Sequence, residues 1–259
     1  MRVYSIPFSG GSMGKNQGCE RGPEAILSHA TEVSHLGKPL TIQNQTVNVF
    51  SSDFPATQLS ILNTVQFPSV CLGGDHSITF STFKAFAQQH PGAALVVFDA
   101  HPDLMQEFDV PTHENYLRML LADGCLLPER LVMVGTRAWD PEELRFVKEK
   151  GIKAYNADEV KANRDKIAHE ILHHVQDAPA LFLSVDIDCL DPSIAPATGY
   201  PEQGGLSSAD LLYFLAKLCA LETYKGADIV EVNPQLDSQG RTATLAAKIL
   251  AELALDSPL

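Results

Sequence analysis

The chain has 259 residues, 45% of them hydrophobic, which is enough for one large domain with a full core and excludes a disordered polymer. Its formal charge of −13 argues against nucleic acid and anionic membrane surfaces as partners, and is compatible with cationic small molecules. No apolar run reaches the roughly 18 residues that span a bilayer, and Met1-Arg2-Val3-Tyr4-Ser5-Ile6-Pro7-Phe8 lacks the apolar stretch and cleavage site of a signal peptide.

Apolar β-branched runs predict strands, and 3.6-residue periodicity predicts helices. A strand at 3–8 is followed by a helix at 23–30, then by strands at 47–50 and 69–72. A helix at 77–89 leads into a strand at 94–98, a helix at 114–122 into a strand at 131–134, and a helix at 141–150 into a strand at 153–155. The last third alternates in the same way: helix 166–175, strand 181–185, helix 208–221, strand 229–232, helix 243–254. Several strands, such as Ala94-Leu95-Val96-Val97-Phe98, are apolar throughout, as strands buried on both faces of a parallel sheet are. Asp140-Pro141-Glu142-Glu143 places a cap, a first-turn proline and first-turn acids in order, and Gly151 ends that helix. With no linker, repeat or low-complexity tract, residues 1–259 read as a single domain. Its class is α/β: three layers, α/β/α, with a mostly parallel sheet of about eight strands. Five dispersed cysteines (Cys19, Cys71, Cys125, Cys189, Cys219) without a CxxC pair read as reduced thiols of a cytoplasmic protein.

In such sheets ligands bind beyond the carboxyl ends of the strands. Three polar clusters fall there: Gly73-Gly74-Asp75-His76-Ser77, Asp99-Ala100-His101-Pro102-Asp103 and Asp186-Ile187-Asp188-Cys189-Leu190-Asp191. In an extended segment residues i and i+2 point the same way, so Asp99, His101 and Asp103, and likewise Asp186 and Asp188, aim into one cavity. With His76 they pool carboxylates and imidazoles. Carboxylates so close repel unless cations lie between them. Oxygen and imidazole donors without thiolate suit manganese over structural zinc. Two ions about 3.5–4 Å apart can hold a bridging water and lower its pKa toward neutrality. One cluster alone reads as a turn or helix cap. Three together do not, because an uncompensated pocket of that charge is costly in a folded protein.

The stretches GGDHSITF, LVVFDAHPD and SVDIDCLDPSIAPATGYPEQGG resemble the three signature segments of the ureohydrolase family, which includes arginases and agmatinases. Weaker likenesses lie in GCERGPEAI, GTR and DIVEVNP. The resemblance implies an eight-stranded parallel sheet in an α/β/α domain, two Mn²⁺ per subunit, and a homo-oligomer, trimer or hexamer. It implies hydrolysis of a guanidino C–N bond by metal-bound hydroxide, with release of urea. It also implies roles residue by residue. His76 and Asp103 would bind one metal, His101 and Asp188 the other, and Asp99 and Asp186 would bridge both. Asp103 would also accept a hydrogen bond from the bridging hydroxide. Glu202 would pair with the substrate guanidinium, and His113 would shuttle a proton. Apart from the resemblance, Glu202 reads as a solvated loop residue and His113 as a surface histidine at a helix start. His29, His35, His90, His169, His173 and His174 match no signature and read as surface residues. Trp139, at another strand end, is open between a wall for the substrate's methylene chain and a cap on the core.

The sequence departs from the arginase pattern where arginases read the amino-acid end of arginine. The loop after DAHPD is Leu104-Met105-Gln106-Glu107-Phe108-Asp109-Val110-Pro111-Thr112, shorter than in arginases and with acids in place of neutral acceptors. Ala138 stands where an aspartate would follow Arg137. Glu107 and Asp109 at the mouth of the pocket would disfavour a carboxylate and favour a cationic tail. The expected partner is therefore a small cationic guanidino substrate, agmatine first, split to putrescine and urea; arginine, guanidinobutyrate and formiminoglutamate are the alternatives. Other classes need features of their own. A deacetylase-like amidohydrolase needs one zinc and a transition-state tyrosine, and a two-metal phosphoesterase needs basic residues beside the ligands. A silent metal-binding subunit would be free to lose the six ligands, Glu202 and His113.

Overall fold

In the computed structural model, which describes residues 1–31, 33–35, 38–106 and 109–255, the apolar runs form the strands. β1 (Arg2–Ile6), β2 (Gln43–Thr46), β3 (Ser69–Gly73), β4 (Ala94–Phe98), β5 (Leu131–Gly135), β6 (Lys153–Asn156), β7 (Leu181–Asp186) and β8 (Tyr224–Val230) make one sheet. Every pairing in it is parallel, in the order β2-β1-β3-β8-β7-β4-β5-β6. The helices are α1 (Gly22–Ala30), α2 (Phe54–Thr64), α3 (Ile78–Gln89), α4 (Tyr116–Ala122), α5 (Pro141–Lys150), α6 (Ala157–Val175), α7 (Ser208–Cys219) and α8 (Arg241–Leu255). A two-residue antiparallel ribbon joins Ser34–His35 to Lys38–Pro39.

Alternation along each strand distributes the core between the two faces. On β4, Ala94, Val96 and Phe98 pack with α1, α6, α7 and α8, while Leu95 and Val97 pack with α3, α4 and α5. α2 covers β1 and β3 on the second face through Ile61. The result is the expected three-layer α/β/α sandwich. Four of the cysteines are buried and Cys125 is half-buried; none lies in a disulfide among the described residues. No described helix is long and apolar enough to cross a membrane.

The structure moves three expected elements and adds one. β2 is Gln43–Thr46 and not 47–50, because it is an edge strand whose four residues are all exposed and polar. β8 begins at Tyr224, five residues before the expected start. Gly226 and Asp228 look like breakers in the sequence, yet a side chain at 226 would meet Phe182 and Phe67 within 3.0 Å. α6 begins at Ala157, where Asn156 and Glu159 form a capping box; a break at Asn163 (φ −142°, ψ 38°) hides its first turns from a periodicity search. α2 was not expected. Its start is set by Asp53, whose side chain accepts from the Ala56 amide.

Candidate active site

The parallel register brings four strand ends level. Ile229 of β8 lies between Leu72 of β3 and Val185 of β7, and Phe98 of β4 pairs with Val185. The residues immediately beyond these ends line a cavity of about 430 Å³. His76 Nδ1 lies 3.0 Å from Asp99 Oδ2, 3.2 Å from Asp103 Oδ2 and 3.1 Å from Asp186 Oδ2. His101 Nδ1 lies 3.0 Å from Asp188 Oδ2 and 3.6 Å from Asp99 Oδ1. Asp99 therefore turns one oxygen to each imidazole. Two sets of candidate donor atoms occur, each with its members within 4.8 Å of one another: His76, Asp99 and Asp103, and Asp99, His101 and Asp188. All six expected ligands are brought to one place, but Asp186 joins neither set. Its Oδ2 faces His76 while its Oδ1 accepts the Asp188 amide at 2.8 Å. Among the described residues only Asp99 is common to both sets.

The donors fit divalent cations. His76 Nδ1 and Asp99 Oδ2 are buried, 3.0 Å apart, and still lack a hydrogen-bond partner. Both are turned toward the space between them, which is unusual for buried polar atoms. Behind His76 the network is closed. Its Nε2 is 2.9 Å from Tyr116 Oη and 3.0 Å from Ser184 Oγ. Ser184 in turn donates to Asp228, which also accepts from Thr79 and Thr82. That arrangement leaves Nδ1 for the cavity. Asp103 is held with φ at 50°, a left-handed conformation that costs a non-glycine residue energy and that the surrounding loop must impose.

The electrostatics show what crowding does without counter-ions. Burial and the Asp99 charge push Asp103 up to about 7, against His76 and His101. Burial and the charges of Asp188 and Asp99 push Asp186 well above the usual carboxylate range. Burial also works to raise Asp99, but the neighbouring His101 and His76 imidazoles overrule it and hold that carboxyl down. A carboxyl whose pKa rises on folding stabilises the protein below its unfolded pKa, and that contribution is lost as pH rises through the folded value. For Asp103 the window runs from about 4 to about 7. In the presence of a chelator the thermal midpoint should therefore fall between pH 5 and pH 8. Excess Mn²⁺ should raise it more at pH 8 than at pH 5, because only deprotonated ligands bind. Calorimetry at the two pH values checks this; a chelated midpoint that climbs toward pH 8 and ignores Mn²⁺ would contradict it.

His113 and Glu202 are both at the cavity, in different settings. His113 precedes α4 and is 9% exposed, not a surface histidine. Burial works to lower its pKa, but Glu231, Asp103 and Asp75 raise it to about 9. Its Nδ1 is 3.4 Å from Glu231 Oε1. Glu202 sits at the rim, its side chain 44% exposed and its Oε1 4.0 Å from His101 Nε2. The sequence reading gave Glu231 no role. It is the first residue past β8, has φ 65°, lines the cavity, and is fixed by the His76 amide at 2.7 Å and the Asn16 side-chain amide at 2.6 Å. A carboxylate directly after a buried strand, on the same edge as the three clusters, was the available signal.

The expectation for the loop after DAHPD is not supported. Glu107 lies outside the described residues. Asp109 is exposed and does not line the cavity; from this loop Met105 does. The rim acids are instead Glu114, Asp140 and Glu202, with Glu143 buried deeper. Trp139 does both things left open for it, lining the cavity while packing on the core cluster of α3 to α5. Arg137 is structural: its guanidinium donates to the carbonyls of Gly135, Asp188, Glu202 and Gln203, tying the third cluster to the end of β5. Of the other histidines, His169 and His173 are exposed, but His29, His90 and His174 are half-buried against neighbouring elements. The side chain of His35 lies outside the described residues. None of the described ones lines the cavity.

A family model described as the arginase family matches residues 1–255. The chain belongs to the arginase family. It is 37% identical over 187 residues to the mitochondrial arginase of Medicago truncatula, a match covering 71% of this chain and 54% of the relative. It is 32% identical over 198 residues to the agmatinase of Bacillus anthracis, covering 75% and 65%. These matches thus span between half and two thirds of the relatives' length. The crystal structure of formimidoylglutamase from Bacillus subtilis subsp. subtilis str. 168 superposes with a TM-score of 0.91 at 26% identity, covering all of this chain and 88% of that one. As an arginase-family member the protein is a hydrolase.

Proposed function

We propose that this arginase-family member hydrolyses the guanidino C–N bond of a small cationic compound, releasing urea, and that agmatine is a better substrate than L-arginine. The observation that carries the reaction class is the pair of donor sets sharing Asp99 on the floor of the cavity. In this reading His76, Asp103 and Asp186 would hold one Mn²⁺, His101 and Asp188 would hold the other, and Asp99 would serve both. Two such ions would supply a nucleophile from water at neutral pH. The remaining roles belong to the chain. Asp103 orients the attacking water through its carboxylate. Glu231, rather than Glu202, pairs with the guanidinium from a fixed, buried position. His113, beside Glu231, carries the proton to the leaving amine.

The preference for a cationic tail rests on the cavity wall. No lysine or arginine lines it among the described residues, whereas Glu114, Asp140 and Glu202 do. An α-carboxylate entering there meets like charges, and the ammonium of Lys15 at the rim is already paired with Glu114. Each exposed pair is worth about 0.2–1 kcal/mol, so with three rim acids the preference in kcat/KM for agmatine over L-arginine should be at least about threefold. The test is a urea-release screen with Mn²⁺ across agmatine, L-arginine, guanidinobutyrate, guanidinopropionate and formiminoglutamate. Equal values for the first two, or a preference for L-arginine, would show that the rim acids do not read the tail.

A further inference from the structure

We propose that Lys15 sets which tail charge the cavity accepts, by filling a cation subsite at its rim with the protein's own ammonium. The proposal rests on the guanidino reading above and adds to it the residue that tunes the tail. Lys15 lies in the long loop between β1 and α1 and reaches across the rim. Its Nζ donates to the Glu114 carboxylate and stands 4.9 Å from the centroid of the Tyr200 ring. Glu114 and Tyr200 both line the cavity, and Lys15 is the cation that meets them. Both also sit directly over the reacting end. Glu114 follows His113, with its Oε1 3.9 Å from His113 Nε2. The Tyr200 ring lies 5.9 Å from the His101 ring and 6.0 Å from the His113 ring.

A carboxylate beside an aromatic face is a cation site. A guanidino compound bound with its head on the cavity floor would bring its tail to this site. A tail ammonium must compete there with Lys15. A tail carboxylate would instead find in Lys15 its nearest counter-charge, since an ammonium has three donors and Glu114 and Tyr200 do not exhaust them. The hydrogen bonds that Lys15 donates to Glu114 and Tyr200 hold its pKa above the usual value, so it stays charged at any working pH. Lys15 thus moderates the preference for cationic tails that the rim acids create. Removing it should sharpen that preference.

The experiment compares wild type, Lys15→Met and Lys15→Arg, all loaded with Mn²⁺. The substrates are agmatine, 4-guanidinobutyrate and uncharged-tailed propylguanidine, the last as internal reference for each preparation. In Lys15→Met, kcat/KM for agmatine relative to propylguanidine should rise, and that for 4-guanidinobutyrate should fall, each by about two- to fivefold, the range for a partly exposed ion pair. Lys15→Arg, which keeps the charge, should keep both wild-type ratios. Unchanged ratios in Lys15→Met, or a fall for agmatine, overturn the proposal. If the wild type turns over none of the three, nor L-arginine, the guanidino reading itself fails. The dissociation constants of agmatine and 4-guanidinobutyrate for wild type and Lys15→Met, measured by calorimetry, then decide the Lys15 proposal by the same opposed shifts or their absence.

Discussion

Asp99→Asn should lower kcat by at least about a thousandfold and leave the purified protein with no more than one Mn²⁺ per chain. Asp99 is the residue common to both donor sets, with Oδ2 on His76 and Oδ1 on the His101 side. Asparagine keeps the shape but offers one ligand oxygen and an NH₂ group that cannot coordinate. The substitution also removes a charge from a crowded cluster in which Asp99 itself raises the pKa of Asp103, Asp186 and Asp188. Asp99 is also held down by His101 and His76 and accepts the His101 amide, so the metal-free fold both gains and loses, and a chelated thermal transition that stays cooperative would separate lost ligation from misfolding. Asp186→Asn provides the contrast. Because Asp186 turns its Oδ2 to His76 and spends its Oδ1 on the Asp188 amide, that variant should lose the ion near His76 and retain the one near His101. Metal analysis after dialysis, beside turnover, reads all of this. Two ions retained by Asp99→Asn would show that Asp99 is not shared.

How much of this was legible in the sequence depended on the range of the interactions. β4 and β7 are buried on both faces, so their apolar runs stand out without any knowledge of neighbours. β2 carries no such signal, because an edge strand with exposed residues needs only backbone pairing. The convergence of the candidate donors was legible because the fold turns i, i+2 spacing directly into a shared direction. Asp99 and Asp103 lie just past β4, and Asp186 and Asp188 at the end of β7. The supports around them were not legible, because they join distant segments. Asn16 reaches Glu231 across 215 residues of chain, Lys15 reaches Glu114 across 99, and the Tyr116 hydroxyl meets His76 across 40. Glu202 attracted the guanidinium role because it lies in the longest matching stretch. Depth in the cavity, which a linear pattern does not encode, distinguishes it from Glu231.

That difference in depth leads to a result of comparable size. Glu231→Gln should cut kcat/KM for the preferred guanidino substrate by about 10²–10³ while both metals stay bound, the usual cost of removing a preorganised charged partner from a dry site. Glu202→Gln should cost no more than about fivefold, as expected for a half-exposed pair. The Glu231 side chain is 6% exposed, and its two oxygens are fixed from behind by the His76 amide and Asn16. Each carboxylate oxygen has a second lone pair, so a planar guanidinium entering the cavity can still take a forked grip on it. In glutamine one of those acceptors becomes a donor, which would point at the guanidinium and also deprive His113 of the charge that raises its pKa. Glu202, at the solvent-facing rim and 4.0 Å from His101, keeps no such fixed geometry. Kinetics of the two variants with metal content measured in parallel decide between them. A loss in Glu202→Gln equal to or larger than that in Glu231→Gln would place the guanidinium at the rim and return the pairing role to Glu202.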